Sequence, residues 1–207
     1  YEAGENVTDR LYNIAIGTQA MRSGGANSMV AIGYGALDAT NNTAAEGAIG
    51  IGHAALGALT SGGGNLAIGY TAGGTISTAS FNTYVGHQSG VGDGTQHSRN
   101  TGFGYQSLKV ATSGANNTAI GNQAALALTT GDNNVAVGSG AGDSLTTGYS
   151  SIAIGKGALS TEDTGHWNTA IGHLALSTLN YDGAGQNVGV GSYAGSNLTT
   201  GTNNTAV

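Results

Sequence analysis

Cysteine and proline are both absent from the 207-residue chain, and only 8% of its residues are charged. Without cysteine there are no disulfides, no thiolate metal sites and no cysteine nucleophile. Five Lys and Arg stand against eleven Asp and Glu, for a net charge of −6. No basic stripe can neutralise phosphates, which argues against nucleic acid as a partner. No apolar run approaches the ~18 residues of a membrane-spanning helix. No signal peptide opens the chain, and a mature or excised chain would have lost one. Low charge with much glycine suggests disorder, but disordered chains lack ordered columns of Ile and Val, and this chain has them.

Glycine is what the chain has in excess, 39 residues, and much of it is periodic. Gly17, Gly33, Gly52, Gly69, Gly86, Gly104, Gly121, Gly138, Gly155, Gly172 and Gly191 follow one another at intervals of 16 to 19, mostly 17. The residue before each Gly is large and apolar: Ile16, Ile32, Ile51, Ile68, Val85, Phe103, Ile120, Val137, Ile154, Ile171 and Val190, with Val207 closing a twelfth phrase. Two residues earlier stand Ile14, Val30, Ile49, Leu66, Thr83, Thr101, Thr118, Val135, Ile152, Thr169, Val188 and Thr205. Side chains alternate along a strand, so these two columns share a face. A helix is excluded, because Gly within every apolar segment and Thr-Thr-Gly turns between them break any helical stripe.

The pattern predicts an all-β chain, a parallel β-solenoid (β-roll) of about twelve coils of ~17 residues, stacked at ~4.8 Å into a rod of roughly 55 Å. Residues 13–207 form the array, and residues 1–12 are expected to be an N-terminal cap or junction. The large apolar columns are expected to face inward. A second strand is expected after each Gly, where the third residue on is always small, as in Ala20, Ala36, Ser89 and Ala124. Asn opens nine of the twelve phrases, among them Asn65, Asn82, Asn100, Asn117 and Asn134, which are expected to stack as a structural ladder. Val207 ends mid-strand, so the array is read as continuing, cut, or stacked on another copy.

The column between the two apolar ones is small in eleven of twelve coils, with Ala15, Ala31, Ala67, Ala119, Ala136, Ala153 and Ala170 among them and Tyr84 the exception. One reading has Ala filling a narrow gap inside a coil. The other, taken here, makes this column the subunit interface of a homo-oligomer, preferably a trimer, since a ~17-residue coil encloses little apolar volume.

The Asn-Thr-Ala-Ile-Gly phrase, Asn117 to Gly121, resembles the repeats of trimeric autotransporter adhesin heads. The longer Thr-Thr-Gly-x-Asn-Asn-Thr-Ala-[Ile/Val]-Gly form is similar to repeats of phage tail-fibre and related surface-fibre proteins. The resemblance implies a left-handed β-roll assembled as a trimer, in a fibre facing a host or a surface. The interval here is longer than in adhesin heads, and no coiled-coil stalk, neck or membrane anchor accompanies it.

The position after the Gly reads Tyr34, His53, Tyr70, His87 and Tyr105 in five consecutive coils. Such a strip could stack on sugar rings of a cell-surface glycan, or on itself. His53 and His87 lie two coils apart, roughly 10 Å, too far to share one metal ion. Gly92-Asp93-Gly94 and Gly131-Asp132-Asn133 faintly resemble calcium-binding β-roll loops, without the full recurring motif. No Ser-His-Asp set, phosphate loop or other catalytic arrangement occurs, so no enzyme, cofactor or metal is expected. The reading is a rigid extracellular, cell-surface or virion rod that contacts glycans. A self-assembling filament subunit, joined end to end, and an ice-binding solenoid are the alternatives.

Overall fold

Short segments with β-branched residues, recurring every 16 to 19 residues and in eleven cases closed by Gly, form twelve short strands. They are β1 (Ile14–Ile16), β2 (Val30–Ile32), β3 (Ile49–Ile51), β4 (Leu66–Ile68), β5 (Thr83–Val85), β6 (Thr101–Phe103), β7 (Thr118–Ile120), β8 (Val135–Val137), β9 (Ile152–Ile154), β10 (Thr169–Ile171), β11 (Val188–Val190) and β12 (Thr205–Ala206). The computed structural model describes residues 2–7, 10–41, 43–92 and 97–207. Tyr1, Thr8, Asp9, Asn42 and residues 93–96, hence Asp93 of the calcium-like loop, lie outside the described residues. The strands pair in sequence order as one parallel sheet of twelve. Register follows the repeat, with Ala119 opposite Ala136 and Ala136 opposite Ala153. The chain is a β-solenoid.

The sheet's polarity is the reverse of the sequence expectation. Ala31, Ala67, Ala119, Ala136, Ala153 and Ala170 are fully buried inside the coil, and Ala15, in the first strand, is half-buried. None of the flanking Ile, Val, Thr, Leu and Phe positions is buried; Ile16 is 57% and Phe103 54% exposed. The lumen explains it. A methyl added at Gly50 would meet Leu37 Cγ at 3.1 Å, and one at Gly189 would meet Leu176 Cγ at 2.8 Å. Leu side chains from the opposite wall fill the coil, and only Ala or Gly fits between them and the sheet.

The opposite wall is not a second strand, contrary to expectation. It is a run of turns carrying left-handed residues two apart, as at Gln123 (φ 55°) and Ala125 (φ 48°), or Leu174 (φ 53°) and Leu176 (φ 48°). Left-handed residues in such alternation cannot extend into a pleated strand. Backbone bonds still join coil to coil, with Ala125 N–H donating to Ala141 O at 3.0 Å and Ala127 N–H to Asp143 O at 3.0 Å. Residues 3–6 continue this wall below the first strand, Gly4 N–H donating to Ala20 O at 2.9 Å.

Two columns hold the corners. The repeated Gly has φ of 117–138°, and a Cβ at Gly121 would lie 2.5 Å from Gly138 O, so only Gly fits. At the other corner the Asn side chains are buried and bond to backbone. Asn117 Nδ2 donates to Gly131 O at 2.8 Å, closing its own coil, and Asn117 Oδ1 accepts Asn134 N–H at 2.8 Å, tying the next. Asn65, Asn82, Asn100 and Asn134 make the same bond to the residue one coil on, at 2.8–3.0 Å. Ser151 stands in the column without breaking it, its Oγ accepting Asn168 N–H at 3.3 Å. Asn117→Ala would strand a buried donor and a buried acceptor, at a cost of about 2–4 kcal/mol. The expected result is a thermal midpoint lower by roughly 5–10 °C, read by circular dichroism.

Candidate functional site

The outward side chains of the sheet make the largest feature of the surface. Two columns, from Ile14 and Ile16 in β1 up to Val188 and Val190 in β11, present Ile, Val, Leu, Phe and Thr and no charged residue. The strands are in register and parallel, so the face is an uncharged, mostly apolar strip roughly 48 Å long. From Ala31 to Ala170 the Ala column expected to meet another subunit instead lines the lumen, out of reach of a second chain. Whatever docks on the sheet meets the Ile and Val columns.

Along the corner after each Gly, Tyr34, His53, Tyr70, His87 and Tyr105 form one continuous stack. Ring centroids are 5.2, 4.9, 5.1 and 5.4 Å apart, with interplanar angles of 12–23°. All five side chains are exposed. Each inner ring has both faces covered by its neighbours, so the strip offers ring edges, phenol hydroxyls and imidazole nitrogens, not flat faces. Beside it Gln106 Nε2 donates to Gln88 Oε1 at 2.8 Å and Gln123 Nε2 to Gln106 Oε1 at 3.3 Å, a second ladder in the same direction.

The loop threonines are engaged in the same way. Thr112, Thr129 and Thr146 donate their hydroxyls to the carbonyls of Thr129, Thr146 and Asp163, one coil on, at 3.0–3.1 Å. An ice-binding surface needs hydroxyls free to face water, and these are spent inside the ladder.

Three polar groups sit in or beside the lumen. Tyr84 occupies the Ala column of β5, its ring placed over Gly90 and Gly102, where any Cβ would lie 2.4 and 3.0 Å from it. Its hydroxyl lies 3.0 Å from His97 Nδ1 and donates to Asn82 Oδ1 at 3.4 Å. Burial pushes the Tyr84 phenol up out of its ordinary range. With both side chains fully enclosed, the pair fills space in the coil and is out of reach of a substrate. Glu162 is buried and accepts Gly165 N–H at 2.8 Å and Tyr181 N–H at 3.3 Å. Burial raises the pKa of Glu162, and likewise that of Asp143.

A carboxyl whose folded pKa lies above its unfolded one stabilises the fold below the ordinary value. That contribution is lost as pH rises through the raised one. Thermal stability is therefore expected to fall as pH rises from the ordinary values of 3.8 and 4.5 toward neutrality. Melting curves across that range check it, and Glu162→Gln should flatten the slope.

One cluster escaped the sequence reading. Tyr149 and His166, one coil apart, stack at 4.2 Å, and Trp167 stands at 84–86° to both. The signal was weaker than that of the long strip: two coils instead of five, and a Trp in the column next to them. Among the described residues no group of three His, Asp or Glu could hold a metal ion, and no helix is long and apolar enough to cross a membrane.

Fold and surface together define a single-sheet parallel β-solenoid with one uncovered apolar wall. Comparison with protein-family models, curated proteins and solved structures gives no match to the chain.

Proposed function

We propose that the chain is a non-enzymatic structural module, a rigid rod of an extracellular, cell-surface or virion fibre, assembled by packing the outer sheet face of one copy on others. The single observation that carries this reading is the charge-free wall of Ile, Val and Thr running the length of the solenoid. At ~48 Å by ~10 Å it presents on the order of 500 Å², near the largest apolar patch that monomers ordinarily expose. Two such faces meeting bury about 1,000 Å², the lower bound for a specific interface.

A second copy of the chain is the occupant that fits. A partner matching every coil must carry the same ~4.8 Å repeat over the same length, and a copy carries it by construction of the sequence. The neutral wall also spares like-charged chains any repulsion at the contact. The adhesin-like phrase favours three copies around an axis, with the Tyr–His stack and the Thr ladders outside it as stiffening. A filament subunit stacked end to end is the second reading, since each coil already pairs with the next along the rod.

Sedimentation equilibrium of the chain tests the proposal. Three chains per particle, independent of concentration above the dissociation range, is the expected result. Particles that lengthen without limit as concentration rises would favour the filament, and a stable monomer would sink both.

A further inference from the structure

We propose that the corner formed by Tyr149, His166 and Trp167 is a carbohydrate-binding platform for a neutral pyranose. The three centroid distances, 4.2, 4.8 and 5.9 Å, make a near right angle at His166. The indole therefore stands beside the Tyr149–His166 stack, not on top of it, and the rings form an angled aromatic corner. Trp167 is 46% and Tyr149 38% exposed. Neither stacked ring lies parallel on the indole, which distinguishes it from the inner rings of the Tyr34–Tyr105 strip. A pyranose needs such a surface, because its axial C–H bonds pack on an aromatic face while its hydroxyls seek hydrogen bonds at the rim.

The position of the indole is costly to the fold. Trp167 has φ 61°, in a corner column that is left-handed in other coils too, at Tyr12 (φ 63°), Phe81 (φ 61°), Arg99 (φ 60°), Asn116 (φ 58°), Asn133 (φ 59°) and Gln186 (φ 51°). Asn visits the left-handed region readily, and a bulky residue there is an outlier. Phe81 shares the column, but its ring lies over Gly64, where a Cβ would come within 2.8 Å of it. Trp167 has aromatic walls instead.

The rim has the right chemistry. Ser150 and Gln186 hold the same corner position one coil below and one above Trp167, both exposed. They set an uncharged hydroxyl and an amide on either side of the indole, at ~4.8 Å per coil. Asp132 Oδ1, in Tyr149's column, is occupied by Ala115 N–H at 2.6 Å. The nearest cation of Trp167's own column, Arg99, lies four coils away, ~19 Å. A neutral sugar is therefore favoured over an acidic one or a nucleotide.

The chain's single tryptophan makes its own emission the reporter. The full chain is titrated with the methyl glycosides of glucose, galactose, mannose and N-acetylglucosamine, following tryptophan fluorescence and saturation-transfer NMR of the sugars. The expected result is a saturable emission change with at least one of them. Binding should weaken at least tenfold in Trp167→Asn, whose thermal midpoint should equal or exceed that of the parent chain. Loss of binding with no loss of stability is what a purely structural tryptophan would not give. No saturable response to any of the four sugars would overturn the proposal, as would sugar signals that persist in Trp167→Asn. An emission shift that follows protein concentration instead of sugar would also overturn it, making the corner a protein contact. The outcome is separate from that of the sedimentation test, because the corner belongs to one chain whatever its oligomeric state.

Discussion

Ala136→Leu is expected to lower stability by about 1–3 kcal/mol through overpacking. Val137→Leu, one residue along the same strand, should stay within about ±0.5 kcal/mol. By ordinary intuition both changes exchange one apolar residue for another. Ala136 is fully buried, with Ala119 and Ala153 in register on either side. The lumen has no room for a branched side chain, since a lone methyl at Gly189, the same position three coils on, would come within 2.8 Å of Leu176 Cγ. Neighbouring coils at ~4.8 Å leave the leucine no rotamer that escapes along the rod axis. Val137 points outward, and a longer side chain there meets no other part of its own coil. Thermal and denaturant unfolding of the two variants measures the difference. The opposite order of stability would mean that the Ile/Val face, not the Ala face, lines the coil.

The second large effect concerns assembly. If the chain assembles as proposed, Ile120→Lys, Val137→Lys and Ile154→Lys together are expected to leave it monomeric while each chain keeps its β-solenoid. The three positions lie one above another in β7, β8 and β9. The fold itself should tolerate them, because Ile120 and Ile154 are 40% and 36% exposed in the isolated chain. At an interface each lysine would be stripped of water with no carboxylate opposite, at several kcal/mol per charge. The combined effect exceeds a thousandfold in dissociation constant. Sedimentation of the triple variant gives the mass, and circular dichroism checks that the coil survives. An oligomer that persisted would place the interface elsewhere.

The period, the strand positions and the parallel order were legible in the sequence because the repeat writes them twelve times. The Asn column was legible for the same reason, with bonding through the backbone of the next coil as its physical content. What the sequence could not give was the sign of the alternation. Two apolar columns beside a small one look like a core beside a contact surface, until the Leu side chains of the other wall are placed and the lumen proves too narrow for Ile. The turn wall was hidden too. Leu37, Leu56, Leu108, Leu159 and Leu176 all sit at φ of 48–52°, and leucine carries no mark of a left-handed backbone as glycine does. The long Tyr–His strip drew the eye by its five-coil run, yet its rings face one another. The corner at Trp167 needed three-dimensional register, because its rings come from two columns.

The inward Ala and outward Val meet most directly in one crosslinking measurement. The chain has no cysteine, so a single introduced thiol has only its counterparts in other copies as partners. Val137→Cys and Ala136→Cys would each be treated at low concentration with a short bis-maleimide and resolved by denaturing electrophoresis. Val137→Cys is expected to give linked chains and Ala136→Cys to stay monomeric. Linkage through Ala136→Cys, or through neither, would contradict a rod that packs on its copies through the Ile/Val wall.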